Sequence, residues 1–189
     1  MMAETNHHFP LDEAPDPSVR GRMEEALKGM NVVPSPISPW VHEDGNSFRG
    51  PYAALSYSSS VIQPFFAVGK TLYDAQVCKP RNRELAILAL SSIVRIPLVV
   101  TEHRRLAAKL GITDEQYEDG LCGQVPRNLS EEENIVFRLG RKLVRLECSL
   151  DSETWNEANE KMEKSEIVGV VHVVSGYRWL TLLAQLDSS

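Results

Sequence analysis

The sequence predicts an all-α fold preceded by a loop-rich N-terminal extension, and three observations carry that expectation. Apolar residues recur at helical spacing from Gly50-Pro51 almost to the C-terminus. Two capping boxes, Thr113 with Gln116 and Ser130 with Glu133, stand where helices should begin. No segment shows apolar–polar alternation bounded by turn chemistry. The valines at 170, 171, 173 and 174 would suit a strand, but the helical period around them extends over about 20 residues.

Residues 1–16 are expected to form a disordered tail, because Pro10, Pro15 and Pro17 break any helix there. Residues 17–50 follow as an N-terminal amphipathic helix, 18–30, and a loop rich in proline, with Pro34, Pro36 and Pro39. A loop that long is either functional, an arm, or a linker. Residues 51–189 form the main helical domain. Within it, 52–78 gives one or two helices, with Pro64 at the break or kink. Pro80 opens the next helix. Its centre, residues 85–90, is apolar on every side, as befits a helix surrounded by others. Pro97 starts a helix that runs to Leu110 and stops at Gly111. A short helix follows Thr113, and longer ones cover 131–147, 151–162 behind an Asp151 cap, and 166–186 behind Ser165.

The chain has 189 residues and a net charge of −6, with a pI near 5.4. That acidity argues against a nucleic-acid partner, since neutralising phosphates calls for a basic face. The longest apolar runs, 85–90 and 168–174, fall short of the roughly 18–20 residues that span a bilayer, so no membrane partner is expected. The N-terminus is polar and acidic, without the apolar stretch of a signal peptide, and the last residues carry no peroxisomal signal. Cys78, Cys122 and Cys148 stand far apart, with no CxxC. Together these features predict a soluble cytoplasmic protein with reduced thiols and no metal site; the run Glu131-Glu132-Glu133 reads as the first turn of a helix.

On the helix from Pro97, Val99, His103, Leu106 and Leu110 share one face, while Glu102, Arg105 and Lys109 share another. His103 therefore points inward, where it serves either as a core histidine bonded to a backbone carbonyl or as an acid–base group. Glu84 is placed in the first turn of the preceding helix. There it is either a carboxylate complementing the helix dipole or one turned inward beside the histidine. Arg95 could hold a substrate carboxylate or make a surface ion pair. His172, at helical spacing from Gly169 and Gly176, and Tyr177 are further candidates, each with a structural alternative. Trp40 and His42 lie in the long loop, which would act as a lid or as an assembly arm.

Several segments share an order and spacing: Gly50-Pro51-Tyr52-Ala53-Ala54-Leu55, Pro80-Arg81-Asn82-Arg83-Glu84-Leu85-Ala86-Ile87-Leu88, His103-Arg104-Arg105-Leu106-Ala107, and Gly111-Ile112-Thr113. The stretch from Leu129-Ser130-Glu131-Glu132-Glu133 to Gly176-Tyr177-Arg178 continues the pattern. In these segments the chain resembles the carboxymuconolactone decarboxylase and alkylhydroperoxidase D-like (AhpD-like) family. Peroxidase members of that family carry a glutamate, a cysteine twelve residues on, a second cysteine three later and a histidine four further. Glu84 and His103 keep the outer spacing, while Ile96 and Val99 fall on the cysteine positions.

The resemblance implies an AhpD-like helical bundle that assembles as a homo-oligomer, with a pocket near a subunit boundary. It also implies, for the decarboxylase branch, chemistry without metal or organic cofactor on small carboxylated lactones. Lacking the cysteine pair, the chain is not expected to be a thiol peroxidase, and Ile96 and Val99 would make that end of a pocket drier and favour proton transfer. The aromatic residue that the family places near the histidine is replaced by Leu98, Val99 and Val100. Val99 thus joins Arg95, Tyr177, His172, Trp40 and His42 as a substrate-binding candidate. The expected function is a cofactor-free lyase or isomerase acting on a small carboxylated molecule. Decarboxylation, lactone rearrangement, dehydration and cyclisation all fit, with His103 as acid–base and Glu84 orienting it. A biosynthetic or catabolic role, including secondary metabolism, suits such a substrate. The competing reading is a non-catalytic binding or assembly protein of the same fold.

Overall fold

The computed structural model describes residues 8–30 and 40–187. Among them the regular structure is helical: one short 3₁₀ turn, one isolated β-bridge, no strand. The helices are α1 (Val19–Gly29), α2 (Pro51–Leu55), α3 (Ser59–Leu72), α4 (Pro80–Ser91), α5 (Pro97–Lys109), α6 (Asp114–Leu121), α7 (Glu131–Val144), α8 (Ser152–Lys161) and α9 (Lys164–Leu186). The protein is all-α. It divides into two compact units, one made of the described residues up to Lys70 with those from Trp179 onward, the other of Thr71–Arg178.

In the first unit, α1 buries Val19, Met23, Ala26 and Leu27, the stripe that a 3.6-residue period brings to one face. They pack with Phe48, Leu55, Ile62, Phe65 and Phe66. Residues 40–50, expected as part of a lid or arm, form a tight turn. Arg49 N–H donates to the Trp40 carbonyl at 2.8 Å and His42 N–H to that of Ser47 at 3.0 Å. Gly45, at φ 73°, supplies the left-handed residue this turn needs. The fully buried Phe48 pins the turn to the core. Pro34, Pro36 and Pro39 lie outside the described residues.

Two expectations need correction here. Residues 8–16 are not a loose tail: Tyr57 Oη donates to the Pro10 carbonyl at 2.6 Å, Ser47 Oγ to that of Phe9 at 2.9 Å, and Leu11 N–H to that of Asn46 at 2.7 Å. The prolines allow no α-helix here, but the Pro10 carbonyl still accepts. Residues 1–7 lie outside the described residues. Pro64, expected at a break or kink, makes no break: it sits inside α3, and the interruption falls instead at 56–58. Proline deletes one helical bond, to the Ser60 carbonyl, and both residues are exposed, so water can replace it.

In the second unit α4 is the central element. Every residue from Asn82 to Ser91 is buried, and α5, α6 and α7 pack around it. Both capping boxes form. Gln116 N–H reaches Thr113 Oγ1 at 3.2 Å, and Glu133 N–H reaches Ser130 Oγ at 3.2 Å, each answered by the reciprocal bond. Asp151 caps α8 through Thr154 N–H at 2.9 Å. α7 ends three residues short of the expected 147, at Val144. The buried stripe of α5 is Val99, His103 and Ala107; Leu106 and Leu110 are only half-buried. Since α4 begins at Pro80, Glu84 is its fifth residue and lies in the second turn, not the first. The carboxylate at the α4 N-terminus is Glu166 of α9, which accepts from Lys79 N–H at 3.1 Å and Asn82 Nδ2 at 2.8 Å.

α9 corrects the run-length reading. It spans 23 residues and is, by length and composition, long and apolar enough to cross a membrane, because Arg178 is its only charge after Glu166. In the second unit its Gly169, Val170, Val173 and Val174 are buried, as in a core helix. Gly169 lies against the Val77 carbonyl, where a Cβ would collide with backbone. Gly21, on exposed α1 surface, has nothing within 4 Å of its would-be Cβ. Gly169→Ala should therefore lower stability by the upper part of about 1–3 kcal/mol. Gly21→Ala should raise it by about 0.5–1 kcal/mol, through the intrinsic preference of alanine for helix. Urea unfolding of the two variants checks the opposite signs.

Candidate active site

The second turns of α4 and α5 bring Glu84 and His103 together. His103 Nδ1 lies 2.7 Å from Glu84 Oε2. Glu84 is 1% exposed and His103 6%. The other carboxylate oxygen, Oε1, accepts from Arg83 Nε at 3.1 Å. A carboxylate out of water must be compensated, and here both oxygens are. Arg83 and Glu84 can both be interior because α4 is buried around its whole circumference.

The network continues outward from Arg83. Its Nη1 donates to the Tyr73 carbonyl at 3.3 Å, and its guanidinium lies 4.4 Å from the centroid of the Tyr73 ring. The hydroxyls of Tyr73 and Tyr177 are 2.9 Å apart. The Tyr177 ring meets the His103 ring edge to face, with centroids 4.9 Å apart. Desolvation, and to a lesser degree the charge of Glu84, pushes the Tyr73 phenol above its ordinary value against the opposing Tyr177 hydrogen bond, so it stays protonated near neutral pH. Desolvation likewise raises the Tyr117 phenol, whose hydroxyl donates to the Val100 carbonyl at 3.1 Å.

In the neutral form of the imidazole, the carboxylate at Nδ1 places the proton there and leaves the lone pair on Nε2. Nε2 has no hydrogen-bond partner among the described residues, and it is not among the fully enclosed orphan atoms, as Ser91 Oγ is. An imidazole held at one nitrogen by a carboxylate and open at the other can take a proton and return it.

The remaining candidates are scattered. Val99 is buried one turn before His103, and Ile96 is the half-buried residue preceding α5. Arg95 is exposed and gives its Nη2 to the Leu121 carbonyl at 2.7 Å, so the structure does not join it to the pair. His172 is exposed on α9, and no hydrogen bond links it to Glu84 or His103. Trp40 and His42 belong to the first unit, where Trp40 packs against the α1 core. Sequence reasoning missed Arg83 and Tyr73. A signal existed for the first: a cation inside an all-buried helix needs a carboxylate, and one is adjacent. For Tyr73 there was none.

Among the described residues no three His, Cys, Asp or Glu side chains are arranged to hold a metal ion. Cys78 is buried, and desolvation followed by the Glu166 charge raises its thiol well above the ordinary value; Cys122 and Cys148 are exposed. Comparisons of the chain with protein-family models, with curated proteins and with solved structures give no match.

Thiol titration of the native protein should label Cys122 and Cys148 and reach Cys78 only in denaturant. Because the folded state keeps the Cys78 proton longer than the unfolded chain does, this group's contribution to stability is present below about pH 8.5 and is lost as pH rises towards the folded-state value. Cys78→Ala should flatten that alkaline decline in a melting-temperature series. Hydrogen peroxide consumption with a dithiol donor should equal background, because no thiol lies on Glu84 or His103; turnover that vanishes on mutating one of the three cysteines contradicts this.

Proposed function

We propose that this protein is an acid–base enzyme, a lyase or isomerase working without an organic cofactor on a small carboxylated molecule, and a divergent relative of the carboxymuconolactone decarboxylase and AhpD-like family. One observation carries the reading: a buried imidazole held at Nδ1 by a buried carboxylate, with Nε2 left open. In this scheme His103 Nε2 removes a proton from a carbon or hydroxyl of the substrate and delivers it to the product. Glu84 holds the ring and stabilises the imidazolium formed in between. Val99 and the Tyr177 ring keep water away from the exchange. All-helical architecture supports the family reading at the level of fold class, as does the pairing of two residues nineteen positions apart. Where peroxidase members carry cysteines, Ile96 and Val99 leave proton transfer as the available chemistry.

The test replaces His103 by Gln, which keeps a hydrogen-bonding side chain but cannot carry the mobile proton. As acid–base, His103→Gln should fold, assemble and lose turnover by about 10²–10⁴-fold. As a core histidine it should lose about 1–3 kcal/mol of stability and keep its turnover. Glu84→Gln should cost less rate than His103→Gln but more stability, because it leaves Arg83 buried beside a neutral amide. The double variant should be non-additive in rate. Product formation and melting temperature measured on the same preparations separate the two roles, and a fully active His103→Gln enzyme removes the reading.

The reading includes a homo-oligomer. Val168, Val171, Trp179, Leu182 and Leu186 are large apolar residues exposed on α9. Two subunits that share them remove that surface from water. Light scattering should give at least twice the 21.2 kDa chain mass, and a monomer at micromolar concentration counts against it.

A further inference from the structure

After the buried network is drawn, one donor on Arg83 is left over. Arg83 is 7% exposed and its side chain 8%, so the side chain is more than nine-tenths buried. Nε is committed to Glu84 and Nη1 to the Tyr73 carbonyl, while Nη2 has no hydrogen-bond partner among the described residues. It is not among the fully enclosed orphan atoms either, so it reaches accessible surface, as His103 Nε2 does. A guanidinium carries Nε–H and one Nη2–H parallel along the same edge. The Nε–H points at Glu84 Oε1, so its parallel neighbour runs beside the same carboxylate whose other oxygen holds His103. One carboxylate thus aims two open groups, a cationic donor and a proton acceptor.

We propose that Arg83 is the anion anchor of this site, its Nη2 taking the carboxylate of a small organic acid while His103 Nε2 exchanges a proton with a neighbouring atom of the same molecule. The inference deepens the acid–base reading and rests on it for the part played by His103. The charges are consistent with an anionic ligand. Arg83 and Glu84 cancel, so an incoming carboxylate meets a donor and no unbalanced negative charge in a place that excludes most water, where such a bond is strongest. Arg95, the anchor suggested by sequence, has its own Nη2 committed to Leu121. Tyr73, 39% exposed with its ring over the Arg83 guanidinium, is the outer wall.

The experiment is a titration of the full-length protein at pH 7 with benzoate and, separately, with its uncharged analogue benzamide. It is followed by the nitrogen-15 signals of the arginine Nε–H and histidine rings. Benzoate should shift the Arg83 and His103 signals saturably, and benzamide should bind at least about tenfold more weakly. Arg83→Lys keeps the charge but not the fork and should lose about tenfold in benzoate affinity, whereas Arg95→Lys should be unchanged. Equal affinity for the two probes, no saturable benzoate shift at tens of millimolar, or unaltered benzoate binding by folded Arg83→Lys overturns the anchor. Should Arg83→Lys not fold, the wild-type comparison of the charged and neutral probes decides alone. Failure of the acid–base reading is distinguishable: it shows as a His103→Gln protein that keeps its turnover while benzoate still binds through Arg83.

Discussion

Glu84 is a carboxylate whose side chain has no exposed surface, and the need to keep that charge compensated organises the second unit. A charge removed from water costs several kcal/mol unless partners recover it. The partners are supplied by two helices: α4 gives Arg83 from the adjacent position, and α5 gives His103 from nineteen residues on. Each partner then brings others. Arg83 takes the Tyr73 carbonyl and ring, and the His103 ring packs edge to face with that of Tyr177. A polar cluster in an apolar helix bundle is thereby satisfied at nearly every atom, and the atoms left open stand out.

The position of Glu84 also depends on how α4 begins. Lys79 N–H and the Asn82 side chain bind the Glu166 carboxylate, and Asn82 also reaches Glu132, which holds the Lys79 ammonium at 2.7 Å. This second acidic cluster fixes the first turn from α7 and α9, and so sets the angular phase of every later residue on α4. An error of one residue there would rotate Glu84 by about 100° away from α5.

Features governed by local chemistry were legible in the sequence. Pro80 and Pro97 start helices, Thr113 and Ser130 cap them, and steps of four place Val99 and His103 on one buried face. The spacing of Glu84 and His103 was readable as a resemblance, whereas the turn in which Glu84 sits was not. The boundary of α4 is set by Pro80, and the acidic group expected at its start comes from Glu166, distant in the chain. Long-range partners explain the other gaps. Tyr73 and Tyr177 are separated by 104 positions, and nothing near Tyr73 announces the bond. Residues 8–16 read as a tail because their composition is polar and proline-rich; their order comes from Ser47, Asn46 and Tyr57, which no local pattern reveals. Pro64 breaks no helix because its lost bond faces water.

The close approach of Gly169 to Val77 has a counterpart at Gly176, where a Cβ would meet the Leu72 side chain. The segment from 72 to 77, which carries Tyr73, is thus held at both its ends by two glycines lying two turns apart on α9. These four positions behave as matched dimensions of one joint. Enlarging a glycine is tolerable only where its opposite number recedes, and at Val77 the opposing group is main chain, which has no smaller substitute. In a lineage drifting under mutation, position 176 can therefore exchange bulk with position 72, while position 169 has no partner side chain with which to make such an exchange. The freedom to remodel this wall of the site is correspondingly lopsided, available at the Leu72 end and closed at the other.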